Sequence, residues 1–355
     1  MARLTREVAR EWWSYEPRGL LSPLVVAPLW LAVTVAFNEL EQARGCTPVA
    51  PCTGEVAGAA FAAAWVTALA ASFLAPRVAA VCAAASGTVM ALNVAAPAGV
   101  RVVAAASAAW VTAVAGRGVR ARAARRAYVA SVAESVPRPF DRRLERRARG
   151  LLAGAVLTAS LAVAAGVVSA EVVERERARE RAALVADAVV TRHEPGGYVV
   201  FRAEDRESAW EAYDPDEYPV GAVVPVYVLD SGARPVAEPY DAAYAAFPAL
   251  LVCGAALVLA ERALVAQGLV RRAAVPALEA SAYGSRRAVT VTADERAVLL
   301  VHGTLGDEPR EVVVAGDLVP GGWAAVLDGG RVVTSGRVYG AGRARDAVRE
   351  ALRRG

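Results

Sequence analysis

Six long apolar runs occur along the chain, and each is long enough to cross a hydrocarbon core of about 30 Å, which takes about 20 helical residues. They cover residues 20–38, 56–75, 78–96, 99–116, 150–170 and 243–260. The second, third and fourth runs are Ala-rich, and their limits depend on the absence of charge and on breaks at Pro76, Pro97 and Gly99. The pattern predicts a polytopic α-helical membrane protein with about six transmembrane helices.

Short Val-rich and aromatic-rich stretches, interrupted by Gly and Pro, follow the fifth and the sixth apolar runs. YVVFRAED at 198–205 and YPVGAVVPVYVLD at 218–230 are typical of β-strands, as are AVTVTAD at 288–294 and REVVVAG at 310–316. The charged run at 171–190 is expected to continue the fifth helix with a solvated face before the first strand. We therefore predict a small extracytoplasmic β-rich domain and a C-terminal cytoplasmic β-rich domain.

Charge gives the predicted helices an orientation. Residues 117–149 hold eleven Arg and three acidic residues, an excess of eight positive charges. A loop rich in Arg stays on the cytoplasmic side of a membrane. The N-terminal tail is also Arg-rich and is therefore expected on the same, cytoplasmic side. Two segments on the same side are separated by an even number of spans, and the four apolar runs between the tail and residue 117 fit this requirement. By the same parity the acidic segment 171–241 lies outside. We predict a multi-pass protein of the cell (plasma) membrane with both termini cytoplasmic.

These predictions divide the chain into seven parts. They are a cytoplasmic N-terminal tail (1–19), four transmembrane helices (20–116), an Arg-rich cytoplasmic loop (117–149), transmembrane helix 5 (150–170), an extracytoplasmic α/β module (171–241), transmembrane helix 6 (242–262) and a cytoplasmic β-rich domain (263–355).

The first apolar run has two interpretations. Arg residues precede it, as in a secretory signal, but the run exceeds the usual signal core and no small-x-small cleavage site follows. We therefore expect an uncleaved anchor. Trp12, Trp13 and Tyr15 would then lie at the level of the lipid headgroups.

The Arg-rich loop is predicted to contact anionic lipid headgroups, since each juxtamembrane Arg gains about 1 kcal/mol near an anionic surface. The lipid-facing basic residues are Arg122, Arg125, Arg126, Arg142, Arg143, Arg146 and Arg147. Tyr128 and Phe140 are the aromatic residues of the loop, too few for the stacking that single-stranded nucleic acid requires. We predict an anionic bilayer as partner, together with a membrane or envelope protein, and no nucleic acid.

Two cysteines, Cys46 and Cys52, follow the first apolar run in GCTPVAPCTG. Under the predicted topology this loop faces the oxidising exterior, and Pro48 and Pro51 favour a turn that brings the two thiols together. A disulfide between Cys46 and Cys52 is the favoured interpretation. Two free thiols are the alternative, and a metal clip is short of ligands because no His lies nearby.

The residues Val220, Gly221, Val224, Val226, Tyr227 and Asp230 carry a resemblance. With the Asp-to-Pro pattern that precedes the sixth apolar run, residues 171–260 resemble a bacterial integral membrane protein family of unknown function. The resemblance implies a small extracytoplasmic β-domain between two transmembrane helices. It implies no activity.

Catalytic chemistry has little support in the residues. All forty basic residues are Arg, which suggests a GC-rich bacterial genome and excludes enzymes that use a P-loop lysine or a Schiff-base lysine. The G-x-S-x-G and HExxH motifs are missing as well, so we predict no enzyme activity, no cofactor and no metal site. We expect an uncharacterised non-enzymatic component with a sensing, scaffold or envelope-assembly role. A transporter or channel component is the alternative.

Overall fold

The computed structural model describes residues 1–15, 56–92, 98–140, 142–203, 206–212, 215–230, 232–284, 288–293 and 296–339, with isolated positions between 25 and 32. Its helices are α1 (Arg6–Ser14), α2 (Val56–Leu74), α3 (Pro76–Leu92), α4 (Ala98–Val132), α5 (Arg142–Ala182) and α6 (Ala242–Val270). Its strands are β1 (Glu134–Pro137), β2 (Leu184–Glu194), β3 (Tyr198–Ala203), β4 (Arg206–Glu211), β5 (Val223–Leu229), β6 (Gly232–Pro235), β7 (Ala274–Gly284), β8 (Ala288–Ala293), β9 (Arg296–His302), β10 (Arg310–Gly316), β11 (Trp323–Asp328) and β12 (Arg331–Tyr339).

The predicted six-span α-helical fold is wrong. Among the described residues, three helices are long and apolar enough to cross a membrane, at Arg101–Val132, Leu144–Ala182 and Ala242–Val270. The strands form two large sheets, and the predicted first span, 20–38, lies almost wholly outside the described residues.

Helices α2 and α3 account for part of the difference between the six predicted spans and the three helices that are long and apolar enough to cross a membrane. The break at Pro76 is where the sequence predicts it, but the 17 residues of α3 rise only about 26 Å, less than a hydrocarbon core. Ala68 of α2 and Ala83 of α3 are fully buried in one cluster with Val111 of α4. These Ala-rich runs are apolar in part because they pack against neighbouring helices.

The predicted Arg-rich loop 117–149 is mostly helical. Helix α4 continues to Val132 and α5 already begins at Arg142. Arg and Ala are strong helix formers, so the basic residues extend the apolar helices instead of ending them. Between the two helices, β1 pairs antiparallel with β7, from Glu134 opposite Ala277 to Pro137 opposite Ala274.

Helices α5 and α6 are antiparallel neighbours that lead to and from a five-stranded sheet. The strand order of this sheet is β4-β3-β2-β5-β6, and all its pairings are antiparallel. Its core contains Val190, Val199, Phe201 and Val226. The Ser169 hydroxyl donates a hydrogen bond of 2.6 Å to the Ala245 carbonyl where the two helices adjoin the sheet.

The second sheet lies at the other end of α5 and α6. Its order is β1-β7-β10-β11-β12-β9-β8, and a further pairing of β8 with β7 closes strands β7 to β12 into a six-stranded barrel. Val289, Val301, Val326 and Val338 are fully buried in the barrel core. The register between β11 and β12 shifts after Val326, and the extra residue, Val333, lies in β12.

The N-terminal segment is part of the barrel domain. The Leu4 amide donates to the Glu279 carbonyl at 2.6 Å, and the Glu279 amide donates to the Ala2 carbonyl at 2.9 Å. Trp12 is only 4% exposed and shares the barrel core with Leu278. The expectation that Trp12 lies among lipid headgroups is therefore wrong, because its indole packs on protein.

Candidate functional site

A charged cavity lies where α4, α5 and α6 meet the barrel, and we call it the junction cavity. Its volume is about 60 Å³. Its charged lining residues are Arg122, Arg126, Arg147, Glu261, Arg262, Asp317 and Arg337, and apolar residues such as Leu144, Leu151, Val265 and Leu269 complete the wall. Five guanidinium groups thus face two carboxylates, which leaves an excess of positive charge.

The two carboxylates of the cavity are already engaged. Asp317, 7% exposed, accepts two parallel hydrogen bonds from Arg126, from Nε at 2.8 Å and from Nη2 at 2.7 Å. The Glu261 carboxylate accepts hydrogen bonds from the backbone amides of Arg77, at 3.4 Å, and Val78, at 2.9 Å. Its negative charge therefore lies at the N-terminus of α3.

The remaining cations repel one another at close range. Arg122 has Arg126 and Arg337 as like-charged neighbours, with Glu261 and Asp317 as its opposite charges. Arg262 has Arg337, Arg147 and Arg122 as like-charged neighbours. Among the described residues, neither Arg122 nor Arg262 makes an ion pair within 4.0 Å. Among the described lining residues, cations therefore outnumber carboxylates.

The loop between β10 and β11 forms the barrel side of the cavity. Gly321 has a φ of +86°, and a Cβ at this position would lie 4.0 Å from Nη2 of both Arg122 and Arg337. The Gly321 amide donates to the Val338 carbonyl at 2.8 Å, and the Asp317 amide donates to the Trp323 carbonyl at 2.9 Å. These bonds hold the loop against the barrel, so its position relative to the arginines is well defined.

Trp323 adds a polar group to the wall. The Arg147 guanidinium lies over the Trp323 ring, 4.9 Å from its centroid. The Trp323 Nε1 is buried without a hydrogen-bond partner among the described residues. A buried indole N–H usually has an acceptor, so Trp323 Nε1 is a donor that the described residues leave unused.

The seven arginines that the sequence predicts as lipid-facing have different surroundings. Arg122 and Arg126 line the junction cavity. Arg125 is 3% exposed, lies 4.5 Å over the Trp12 ring and donates from Nε to the Trp12 carbonyl at 3.1 Å. Arg125 and Arg126 thus face protein instead of lipid, because α1 and the barrel cover this side of α4.

The other members of the set lie at the start of α5. Arg142, Arg146 and Arg147 are exposed, while the side chain of Arg143 lies outside the described part of the structure. Lipid contact by Arg142 and Arg146 stays a prediction. Cys46 and Cys52 also lie outside the described residues, and the described cysteines, Cys82 and Cys253, are free.

A second charged cluster, which the sequence analysis missed, joins α5 to the five-stranded sheet. Arg234 of β6, 8% exposed, binds Glu180 at 2.6 Å and Glu176 at 3.3 Å. Its guanidinium also lies over the rings of Trp210 and Tyr240, at 5.0 and 5.5 Å. The i, i+4 spacing of the two glutamates was the available signal, since it places them on one helix face.

A carboxylate buried in the same sheet extends this cluster. Glu238 accepts hydrogen bonds from Trp210 Nε1 at 2.9 Å and from the Tyr218 hydroxyl at 3.0 Å. Burial, followed by the negative charge of Glu238 and the hydrogen bond to it, raises the pKa of Tyr218 well above its ordinary value.

In the parts of the chain that the structure describes, no group of three or more His, Cys, Asp or Glu could hold a metal ion.

The resemblance of residues 171–260 to a membrane-protein family stays a prediction. In comparisons with protein-family models, with curated proteins and with solved structures, no match to this chain was found.

Proposed function

We propose that this protein is a non-enzymatic component of a bacterial cell membrane, in which an outer β-sheet is coupled to a cytoplasmic barrel in a sensing, scaffold or envelope-assembly role. Helix α5 carries the proposal because it is anchored in both parts. Leu144, near its start, shares a buried cluster with Val275 and Ala325 of the barrel. Glu176 and Glu180, near its end, bind Arg234 of the five-stranded sheet.

The length of α5 supports coupling across a bilayer. Its 41 residues rise about 60 Å, roughly twice the thickness of a hydrocarbon core. The helix is continuous between its two anchored ends and contains no proline, a common cause of sharp kinks. A displacement of one end is therefore passed to the other through a stiff element.

The charges on the helices support the proposed orientation. The basic halves of α4 and α5 adjoin the barrel, as does the Arg-rich segment before residue 15. The positive-inside tendency then puts the barrel and both termini in the cytoplasm and residues 171–241 outside.

Cysteine labelling tests this orientation. In a chain whose natural cysteines are replaced by serine, Val223→Cys and Val333→Cys are compared, because both valines are exposed, at 63% and 42%. A membrane-impermeant maleimide should label Val223→Cys in intact cells and Val333→Cys only after permeabilisation. Labelling of both or of the opposite one in intact cells contradicts the proposed orientation.

Hydrogen exchange tests the coupling. In nanodiscs, Arg234→Gln should speed the exchange of amides in the barrel loop 317–322, because α5 positions Leu144 and Arg147 beside that loop. Arg202→Gln is the matched control, since Arg202 belongs to the same sheet but pairs with Glu207 at the surface. An effect of Arg234→Gln that stays within the five-stranded sheet, or solute flux into proteoliposomes, would argue against a coupling role.

A further inference from the structure

The described residues that line the junction cavity include more cations than carboxylates. Asp317 is paired with Arg126, and Glu261 binds two amides of α3, while Arg122 and Arg262 make no ion pair with a described residue. Positive charge held away from water is costly unless an anion accompanies it. Guanidinium groups bind phosphate oxygens through paired N–H donors, which makes a phosphate the anion that fits best.

The size of the cavity agrees with a phosphate group. A volume of about 60 Å³ holds about four to six water-sized groups, and a phosphate carries four oxygens. The buried Trp323 Nε1 offers a further donor to such an oxygen. Arg122 and Arg337 both approach Gly321, where the absence of a side chain leaves space for the ligand.

The cavity lies at the level where the helices change from apolar to charged. In α5 the apolar run begins at Leu151, after Arg149, and in α6 the apolar run ends at Ala260, before Glu261. If these helices cross a membrane as we propose, this level is that of the lipid headgroups. Basic pockets between helices on the cytoplasmic side are typical sites for anionic lipid headgroups.

An apolar groove adjoins the cavity, and we call it the α3–α6 groove. Its volume is about 490 Å³, within the range of small-molecule sites, and it shares Arg126, Glu261 and Asp317 with the cavity. Val81 lines it on the apolar side of the headgroup level and Leu264 lines it one turn beyond Glu261, and they are 66% and 67% exposed. Arg77 and Arg272 are further cations of its lining. A charged cavity continuous with an apolar groove matches a ligand with an anionic head and an apolar chain.

We propose that the junction binds one anionic phospholipid, whose phosphate lies between Arg122, Arg262 and Arg337 and whose acyl chain lies along the α3–α6 groove. This inference rests on the proposed membrane function. It differs from diffuse attraction to an anionic surface because it names a partly buried site with defined stoichiometry.

Native mass spectrometry of the full chain tests the site. The protein is released from nanodiscs of phosphatidylcholine containing phosphatidylglycerol, and retained lipid is counted. The wild type should retain one phosphatidylglycerol, and Arg122→Gln with Arg262→Gln should retain it at least about tenfold more weakly. Arg142→Gln with Arg146→Gln removes the same charge from the exposed start of α5 and should behave as the wild type.

A second variant and a second probe keep the test decisive if the arginine variant does not fold. Val81→Trp with Leu264→Trp fills the groove and should release the lipid while inorganic phosphate still protects the wild type and this variant against thermal unfolding. Retention of lipid by the groove variant shows that the acyl chain does not lie in the groove and overturns the proposal. Loss of lipid from neither variant together with protection by inorganic phosphate points to a free phosphate as the ligand and also overturns it. Equal losses in the cavity and control variants show diffuse surface binding and also overturn it.

The two proposals fail in different ways. Lipid retention is measured independently of the hydrogen-exchange experiment. If the lipid is retained but Arg234→Gln does not change amide exchange in loop 317–322, only the coupling role is contradicted. Coupled exchange with no retained lipid contradicts only the lipid site.

Discussion

Arg126 and Asp317 form a bidentate ion pair, with Nε–Oδ1 and Nη2–Oδ2 distances of 2.8 and 2.7 Å, that fastens α4 to the barrel. The Asp317 side chain is 8% exposed and that of Arg126 is 35% exposed. The pair is therefore partly shielded from water, which strengthens it relative to a surface pair.

Arg126→Ala should destabilise the barrel domain by about 2 to 4 kcal/mol, because it leaves Asp317 buried without its partner. Arg126→Lys should recover only part of the loss, since an ammonium does not provide the paired donors of a guanidinium. Chemical unfolding followed by tryptophan fluorescence measures both. Arg3→Ala is the control: its pair with Glu311 is exposed on both sides, at 62% and 64%, and should contribute less than about 1 kcal/mol. Equal effects of the two alanine variants would contradict the prediction.

Arg234→Ala should destabilise the five-stranded sheet by about 3 kcal/mol, because Glu176 and Glu180 lose their buried counter-charge. Limited proteolysis should then cut within residues 184–241 faster than in the wild type. Arg202→Ala removes an exposed cation from the same sheet and should leave the cutting rate unchanged. Proteolysis as slow in Arg234→Ala as in the control would show that the cluster adds little stability.

Gly254→Ala should disrupt the contact between α6 and α2, because its Cβ would lie 2.0 Å from Oγ1 of Thr67 and 3.0 Å from its Cβ. Small residues let helices approach closely. The midpoint temperature of thermal unfolding in detergent should therefore fall by several degrees in this variant. Gly268→Ala, also in α6, meets nothing within 4 Å and should stabilise the helix by about 0.5 to 1 kcal/mol. A loss of stability in Gly268→Ala as large as that in Gly254→Ala would contradict the prediction, because a Cβ at Gly268 meets no other atom within 4 Å.

Tyr218 should make the five-stranded sheet sensitive to alkali. Burial, then the Glu238 charge and hydrogen bond, raise its pKa in the folded state. The neutral phenol is thus favoured by folding, so its contribution is fully present below the unfolded pKa of about 10 and is lost as pH rises beyond that value. Unfolding free energy measured from pH 9 to pH 12 should fall more steeply in the wild type than in Tyr218→Phe. The exposed Tyr198→Phe is the control and should retain the wild-type slope.

Local patterns predicted the secondary structure better than the assembly. The runs around residues 150–170 and 243–260 do lie in long apolar helices, and strands occur in both segments rich in Val and Gly. Such patterns are local, because each helix or strand follows from the periodicity and propensity of its own residues. The length of α4 and α5 was missed because Arg ended the apolar run without ending the helix.

The candidate site followed from no local pattern. Arg126 and Asp317 are 191 residues apart, and Arg122 and Gly321 are 199 residues apart, so their proximity exists only once β7 to β12 close into a barrel. The sequence by itself determined an excess of Arg next to apolar helices, since charge and hydropathy are properties of composition and order. Only the tertiary structure decided which arginines are neutralised by carboxylates and which are left facing a cavity, because ion pairing depends on distance in space.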